Sequence, residues 1–250
     1  RPPGHPTVSS PHPTRQTGGV CGRYALDASI DTLIDTFQVT HNRFPEWRPR
    51  WNIAPTSTVP LIIDTDSAEG SRSLGPARWS LTPPWSETLD TPYPTFNARS
   101  ETAATKPTFR EAVKKHRGLI PATGYFEWRT EGRVKTPHYI YPDSGLFAFA
   151  ALYSIWGPPG NTTVTTTILT TDAPAALSWI HPRSPVALPQ TEWSLWLDPQ
   201  NVGDDALVRH AVQASASVFS SVHEHTVRPL QGDSASLIKP AEGDESPRGG

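Results

Sequence analysis

The stretch LFAFAALYSIW, residues 146–156, is built almost entirely from apolar and aromatic residues and lies between Gly145 and Gly157. A second run, TVTTTILTT at residues 163–171, follows it closely. Aromatic and β-branched side chains favour strands, and flanking Gly or Pro favours turns, so both runs are predicted to be strands. The same features predict strands at TVPLIID (58–64) and HYIYP (138–142), so strands dominate the middle of the chain.

Helical spacing of apolar residues is confined to short segments. DASIDTLIDTFQV (27–39) predicts an amphipathic helix with Asp27 or Ser29 as its N-cap. TKPTFREAVKKHRGLI (105–120) predicts a second helix, one face of which carries the strongest basic cluster, namely Arg110, Lys114, Lys115 and Arg117. Shorter helices are predicted at PAALSWI (174–180) and DDALVRHAVQA (204–214). The 28 prolines make long helices unfavourable.

Composition limits the classes of protein. The formal charge of −2 means that a nucleic acid would have to be held by a local basic groove. One cysteine excludes an internal disulfide framework and a zinc site made of several cysteines. No apolar run approaches 18 residues, and the first 20 residues lack the apolar centre of a signal peptide. We therefore expect a soluble, cytoplasmic protein with no membrane partner.

Both ends of the chain differ in composition from its centre. Residues 1–20 are rich in Pro, Ser, Thr and Gly and are predicted to be a disordered leader or a misassigned extension. Residues 241–250 are predicted to be a disordered acidic tail. The sequence contains no Met, and Arg (17) outnumbers Lys (5), as GC-rich coding sequences often show. We hypothesise that Val20 is a GTG start codon, so that removal of the initiator exposes Cys21 as the first residue.

Cys21 is the only thiol in the chain. A lone cysteine is usually a small buried hydrophobe. At an N-terminus, however, it joins an α-amine with a pKa of about 7.7–8.0 to a thiol with a pKa near 8.5 on adjacent carbons. Such an aminothiol condenses with aldehydes to an imine, and the tethered thiol then closes a thiazolidine ring.

Three further segments place polar residues within aromatic or proline-rich sequence. They are FNARSET (96–102), PATGYFEWR (121–129) and IHPRSPVAL (180–188). Each polar residue could be a satisfied buried group or a turn residue. Together with Cys21, they form a plausible catalytic site whose members are Asn97, Glu127 and His181, flanked by Arg99 and Arg183.

These segments make the chain resemble the SRAP family, the SOS response-associated peptidases, which shield abasic sites in single-stranded DNA. The elements that carry the resemblance occur in family order and span most of residues 21–240: CGRY (21–24), RWNIAPT (50–56), ARWSLTPPW (77–85), FNARSET (96–102), FREAVKKHRGLIPATGYFEW (109–128), FAALYSIW (149–156), TILTTDA (167–173) and IHPRSPVAL (180–188). The family pattern has Cys directly after the initiator, whereas here it is residue 21. The predicted fold is α+β, a single domain with a central, mostly antiparallel barrel-like β-sheet and peripheral helices.

The resemblance implies a mechanism without a cofactor or a metal. Cys21 would link covalently to the ring-opened sugar aldehyde, and Asn97 would orient the Cys21 main chain or the sugar. Glu127 would accept the proton lost by the α-ammonium, and His181 would protonate the sugar oxygen. Cleavage of the strand as a lyase and removal of the protein's own leader are further implied activities. The partner would be single-stranded DNA containing abasic sites, bound by a monomer.

The resemblance also implies contacts to DNA. Arg99 and Arg183 would clamp phosphates, and Arg23 would extend the phosphate-tracking groove. The loop that begins at Trp79 would act as a wedge, with Trp79 or the tip Pro83–Pro84 stacking on bases beside the lesion.

Two other functions stay open from sequence. One is an N-terminal-nucleophile amidohydrolase or peptidase, in which Cys21 attacks an amide. The other is a plain single-strand-binding module that does not need Cys21. His223 and His225 could share one face of a strand, but two ligands without a third do not predict zinc, and His225 is left without a role.

Overall fold

The structure is a computed structural model that describes residues 21–65 and 72–243. Over these residues there are five α-helices, namely α1 (Ile30–Phe37), α2 (Ser100–Ala103), α3 (Arg110–Lys115), α4 (Gln190–Leu197) and α5 (Asp205–Phe219). The strands of the same residues are β1 (Arg23–Leu26), β2 (His41–Asn42), β3 (Arg50–Ile53), β4 (Thr58–Asp64), β5 (Arg72–Trp79), β6 (Asn97–Arg99), β7 (Arg117–Ala122), β8 (Gly124–Glu131), β9 (Val134–Pro142), β10 (Phe147–Trp156), β11 (Thr163–Asp172), β12 (Arg183–Pro185) and β13 (Val222–Thr226). A 3₁₀ helix, Ala235–Ile238, follows them.

A closed barrel forms the centre of the molecule. Its strands follow the order β11-β10-β7-β4-β5, and each neighbouring pair in that order is antiparallel. A parallel pairing of β5 with β11, with Arg78 opposite Thr165 and Trp79 opposite Thr166, closes the circle. The two predicted strands at 146–156 and 163–171 are β10 and β11. The stretch richest in apolar residues therefore forms β10, a strand of the barrel wall that pairs with β11 and β7.

A second, antiparallel sheet packs against the barrel in the order β13-β9-β8-β1-β3. Strand β1 contributes the buried Tyr24, whose ring packs edge-to-face on Trp79 of β5 and on Phe149 of β10. One large buried cluster contains residues of both sheets. The predicted α+β fold, with one domain, a mostly antiparallel barrel and peripheral helices, is therefore confirmed.

The first predicted helix is α1, and its cap is one of the two candidates. The Ser29 side chain accepts a hydrogen bond from the Thr32 backbone N–H at 3.1 Å, which satisfies one of the free amides of the first turn. Gln38 ends the helix in the left-handed conformation. Leu33 and Phe37 form its buried face, as the apolar spacing predicted.

The second predicted helix is only partly helical. Helix α3 ends at Lys115, and the chain becomes strand β7 from Arg117 onward. Arg117 is therefore buried and does not belong to an exposed basic face, which corrects the predicted basic cluster. The predicted helix PAALSWI (174–180) is also wrong, because residues 175–180 form consecutive turns. The predicted helix at 204–214 is the first part of α5.

The buried Arg117 guanidinium joins two helix ends. It donates to the carbonyls of Val113 and Lys114 in the last turn of α3, at 2.8 Å each. It also donates to three carbonyls at and beyond the end of α4, those of Trp196, Asp198 and Asn201. Helix C-termini carry free carbonyls and partial negative charge, so one cation satisfies both ends.

The predicted leader, residues 1–20, lies outside the described residues, as do residues 244–250 of the predicted tail. The first residues of that tail are attached to the fold. The Ala241 N–H donates to the Thr226 carbonyl at 2.9 Å, and Glu242 accepts from Arg228. Among the described residues, no helix has the length and apolar character needed to cross a membrane.

Candidate active site

Cys21 lies two residues before the start of β1 and is completely buried. Strand β1 runs antiparallel to β8, with Arg23 opposite Phe126, so the residues before β1 lie beside the part of β8 that carries Glu127. The Cys21 backbone N–H donates to Glu127 Oε1 at 2.5 Å, across 106 residues of sequence. Two predicted catalytic residues are thus in direct contact through the nitrogen that would become the N-terminus.

Burial perturbs both titrating groups of this pair. It raises the pKa of the Cys21 thiol well above its ordinary value, and the neighbouring Glu127 charge raises it further. Burial also raises the pKa of Glu127 from 4.5 to about 8, although hydrogen bonds from the Cys21 and Trp128 backbones oppose the shift. The site therefore holds a carboxyl group that exchanges its proton near neutral pH.

This shift predicts a pH-dependent stability for the chain that carries residues 1–20. Between about pH 4.5 and pH 8, native Glu127 keeps a proton that the unfolded chain has released. The free energy of unfolding therefore falls as pH rises through this window, by up to about 1.4 kcal/mol per pH unit. Glu127→Gln, which cannot ionise, should lack this decline. Denaturant unfolding of both proteins at pH 5, 6, 7 and 8 measures the difference, and parallel pH profiles would contradict it.

Asn97 and His181 both lie near the C-terminal half of β11, because strands β6 and β12 pair with it there. Asn97 begins β6, which pairs with β11 so that Asn97 lies opposite Ile168. His181 immediately precedes the Pro182–Arg183 step into β12, where Arg183 lies opposite Asp172. The Arg183 backbone N–H donates to His181 Nδ1 at 3.2 Å, and partial burial lowers the pKa of His181. Both residues are thus positioned by the barrel strand rather than by the sheet that carries Glu127.

The three predicted phosphate-binding arginines differ in availability. The Arg99 side chain is exposed, with Nε 3.9 Å from a Glu101 oxygen. Arg23 donates to Asn52 Oδ1 at 2.9 Å and is half-buried. Arg183, by contrast, is buried and donates to both Glu101 oxygens, to Asp172 and to the Thr170 carbonyl. We correct the expectation that Arg183 clamps phosphate, because its side chain is buried and both Nη nitrogens already bind protein oxygens.

The predicted wedge loop places different residues at its surface than expected. Trp79 is fully buried, and its Nε1–H donates to the Phe96 carbonyl at 2.9 Å, so the expectation that it stacks on bases is wrong. Pro83 is buried as well, whereas Pro84 is exposed. Trp85, which the sequence analysis did not select, is 64% exposed. Its place directly after Pro83–Pro84, at the tip of a stiff turn, was the available signal.

His138 lies beside Glu127, Trp179 lies over His138, and neither was selected from the sequence. His138 is directly opposite Glu127 in the β8–β9 pairing and is buried, with its Nδ1 2.8 Å from Glu224 Oε2. Trp179, in the turns before β12, packs its ring against the His138 ring. Only the strand pairing shows that His138 adjoins Glu127, and only the ring contact shows that Trp179 adjoins His138; no local motif indicates either.

His223 and His225 have protein partners. His223 Nε2 lies 2.8 Å from Asp143 Oδ1, and His225 Nε2 lies 2.9 Å from the Ile238 carbonyl. The His225 ring also packs against Tyr139 and Tyr141. Within residues 21–65 and 72–243, no group of three or more His, Cys, Asp or Glu side chains is arranged to hold a metal ion. His225 thus has a packing role in the second sheet.

Comparison with known proteins gives a consistent result. The family model of the SOS response associated peptidases (SRAP) matches residues 20–229. The abasic site processing protein YoqW of Bacillus subtilis is 38% identical over 194 residues, which are 75% of this chain and 84% of YoqW. The abasic site processing protein HMCES of Xenopus tropicalis is 30% identical over 223 residues, covering 72% of this chain and 66% of that protein.

A crystal structure of a protein from Bacteroides thetaiotaomicron has the same fold. Its TM-score is 0.74 at 24% identity, and the match covers 88% of this chain and all of the other. Since the family model spans most of the sequence, the chain belongs to the SRAP family.

Proposed function

We propose that this protein processes abasic sites in single-stranded DNA by forming a covalent crosslink through Cys21, once Cys21 is the N-terminal residue. Two kinds of support point the same way. Relatives at 38% and 30% identity bear the name abasic site processing protein. The contact between the Cys21 nitrogen and Glu127 supplies the chemistry that such a crosslink requires.

The hydrogen bond from the Cys21 nitrogen to Glu127 is the observation that carries the proposal. An α-ammonium must lose a proton before its nitrogen can attack an aldehyde. Its ordinary pKa is about 7.7–8.0, and burial places the pKa of Glu127 at about 8. The ammonium's charge lowers the pKa of the carboxyl in the processed protein. Burial opposes that lowering, so Glu127 accepts the proton more readily than an exposed carboxylate would, which suits general-base catalysis.

The reaction then needs only groups of this site and the sugar. The α-amine, deprotonated by Glu127, attacks C1′ of the ring-opened sugar. Protons pass from the nitrogen to the aldehyde oxygen with Glu127 as the shuttle, and that oxygen leaves as water to give an imine. The Cys21 sulfur adds to the imine carbon while the thiol proton moves to the nitrogen, which closes a thiazolidine. The raised pKa of the buried thiol suits this addition, because S–H adds across C=N without a net charge. His181 would protonate the sugar oxygen during ring opening.

A residue before Cys21 would block the first step. In a peptide bond the Cys21 nitrogen is an amide, whose lone pair is delocalised and is not nucleophilic. The Cys21 backbone also has φ 48°, a left-handed conformation that is uncommon for a residue with a side chain. Release of the peptide bond before Cys21 would relieve this strain and create the amine. We therefore propose that the mature chain begins at Cys21.

DNA would reach the site along an exposed rim. Arg99 offers an exposed guanidinium for phosphate, with Nε 3.9 Å from a Glu101 oxygen, and Arg23 lies two residues from Cys21. Pro84 and Trp85 at the tip of the 80–96 loop would take the wedge position in place of Trp79. Stacking does not depend on base identity, which suits a protein that recognises the absence of a base.

The amidohydrolase alternative has less support, because it needs a cysteine thiol with a lowered pKa. A cysteine nucleophile attacks amides as a thiolate, which requires a lowered pKa. Burial and the Glu127 charge instead raise the pKa of the Cys21 thiol.

One experiment tests the proposed function. A chain beginning at Cys21 and a chain beginning at Arg1 are each mixed with a single-stranded oligonucleotide that carries one abasic site. We expect a denaturation-resistant adduct whose intact mass contains only protein beginning at Cys21. An intact single strand and an intact duplex serve as controls and should give none. An adduct whose mass retains residues 1–20 would overturn the proposal, as would the absence of any adduct.

A further inference from the structure

Trp179 is an exposed aromatic side chain held in one orientation. It is 46% exposed. The Arg129 guanidinium lies 5.0 Å from the centre of its ring, and the His138 ring packs edge-to-face at 5.2 Å. Its Nε1–H donates to the Ala176 carbonyl at 2.9 Å. The polar atom of the indole therefore has a protein acceptor at the surface, and about half of the residue faces solvent.

The residues that hold Trp179 belong to the same sheet face as Glu127. Arg129 is two residues from Glu127 on β8, and side chains two apart on a strand point to the same side. His138 lies directly opposite Glu127 on β9, and opposite residues also share a face. Trp179 therefore covers the face that carries the Glu127 carboxyl, at the rim of the candidate active site.

The chemistry of this position fits a flat π-system. Arg129 covers part of the Trp179 ring, and the exposed remainder of that ring can stack on a second planar group. Arg129 also forms an ion pair with Glu131 at 2.7 Å, and both side chains are exposed, so the guanidinium stays at the surface beside the indole. A base next to an abasic site has lost its stacking neighbour and presents an open face, which makes it the natural occupant.

We propose that Trp179 is a stacking platform for the nucleobase adjacent to the abasic site. This inference rests on the proposed function. It assigns a second aromatic contact to the DNA, contributed by the turns before β12 and separate from the exposed loop that carries Trp85.

A non-reactive ligand isolates this contact from the covalent step. The probe is a single strand with a tetrahydrofuran abasic analogue, which lacks the aldehyde. Trp179→Leu, which keeps apolar bulk over His138, should weaken binding about 5- to 100-fold, the range expected for one stacked base. Trp179→Phe should retain most of the affinity. Leu195→Ala, at a similarly exposed apolar residue of α4, should bind like the wild type.

Removal of the base identifies the occupant. Two further probes carry the analogue at the lesion and also at its 5′ or its 3′ neighbour. One of them should weaken binding of the wild-type protein but leave Trp179→Leu unchanged. Equal weakening of both proteins by both probes would overturn the inference, as would wild-type affinity of Trp179→Leu. Because these probes form no adduct, this result is independent of whether the aldehyde-bearing strand crosslinks to Cys21.

Discussion

Replacing Cys21 by alanine in the chain that begins at this position is expected to abolish the denaturation-resistant adduct with abasic single-stranded DNA. Alanine keeps the α-amine, so an imine can form, but no thiol is present to close the ring. An imine hydrolyses under denaturing conditions, whereas a thiazolidine persists. Denaturing gel electrophoresis after reaction with the abasic oligonucleotide should show loss of essentially all the adduct.

Borohydride reduction supplies the matched control for this variant. It converts an imine to a stable amine, so Cys21→Ala should regain a trapped adduct when the reductant is present. The remaining amine should also support slow strand cleavage by β-elimination from the imine. An unchanged adduct without borohydride would remove Cys21 from the covalent step. If the variant can be trapped only with borohydride, the thiol and the amine have separate roles, as proposed.

Replacing Arg117 by methionine is expected to lower the free energy of unfolding more than the other substitutions proposed for this protein. Methionine retains the apolar stem but leaves five buried or half-buried carbonyl acceptors without their donor. Unsatisfied buried polar groups and lost charge-assisted bonds together predict a destabilisation of roughly 3–5 kcal/mol. Denaturant unfolding at pH 7, followed by tryptophan fluorescence, measures this loss.

Arg110→Met is the matched control, because Arg110 lies in the same predicted basic cluster but is exposed, with its guanidinium 3.8 Å from Glu111. Exposed ion pairs contribute little, so its stability should change by less than about 1 kcal/mol. Equal stability of the two variants would contradict the structural role of Arg117. A loss confined to Arg117→Met would support it.

Close packing around the Arg117 guanidinium explains why residue 203 is a glycine. A Cβ added to Gly203 would lie 2.2 Å from the Val113 carbonyl oxygen and 2.7 Å from Arg117 Nη1. The Gly203 N–H also donates to the Lys114 carbonyl at 3.0 Å. The loop between α4 and α5 therefore reaches the end of α3 only because this residue has no side chain.

Local sequence patterns correctly predicted those strands and helices that are specified by interactions within a few residues. The strands at 146–156 and 163–171 and the helix capped by Ser29 form as expected, because side-chain shape and capping act within a few residues. The residues of the site were selected through the resemblance to a family. The contact between the Cys21 nitrogen and Glu127 could not be predicted from local patterns, because 106 residues separate the two partners.

Two of the mistaken predictions share a physical cause. The basic residues at 110–117 have the spacing of one helix face, yet Arg117 lies outside the helix, where carbonyls near the end of α4 bind it. The resemblance implied that Trp79 is a surface wedge, yet its ring is buried against Tyr24 and Phe96. In both cases a non-local contact outweighed the local pattern.

The sequence by itself determined the α+β class and three strands of the barrel wall, β4, β10 and β11. These follow from residue type and short-range order, whereas Cys21, Asn97, Glu127 and His181 were grouped through the resemblance to a family and stay a prediction as a set. Only the tertiary structure decided which arginines are exposed, which tryptophans face solvent, and that His138 lies between Glu127 and Trp179. The reason is that burial and pairing depend on which strands become neighbours, and strand pairing joins residues that are far apart in the chain.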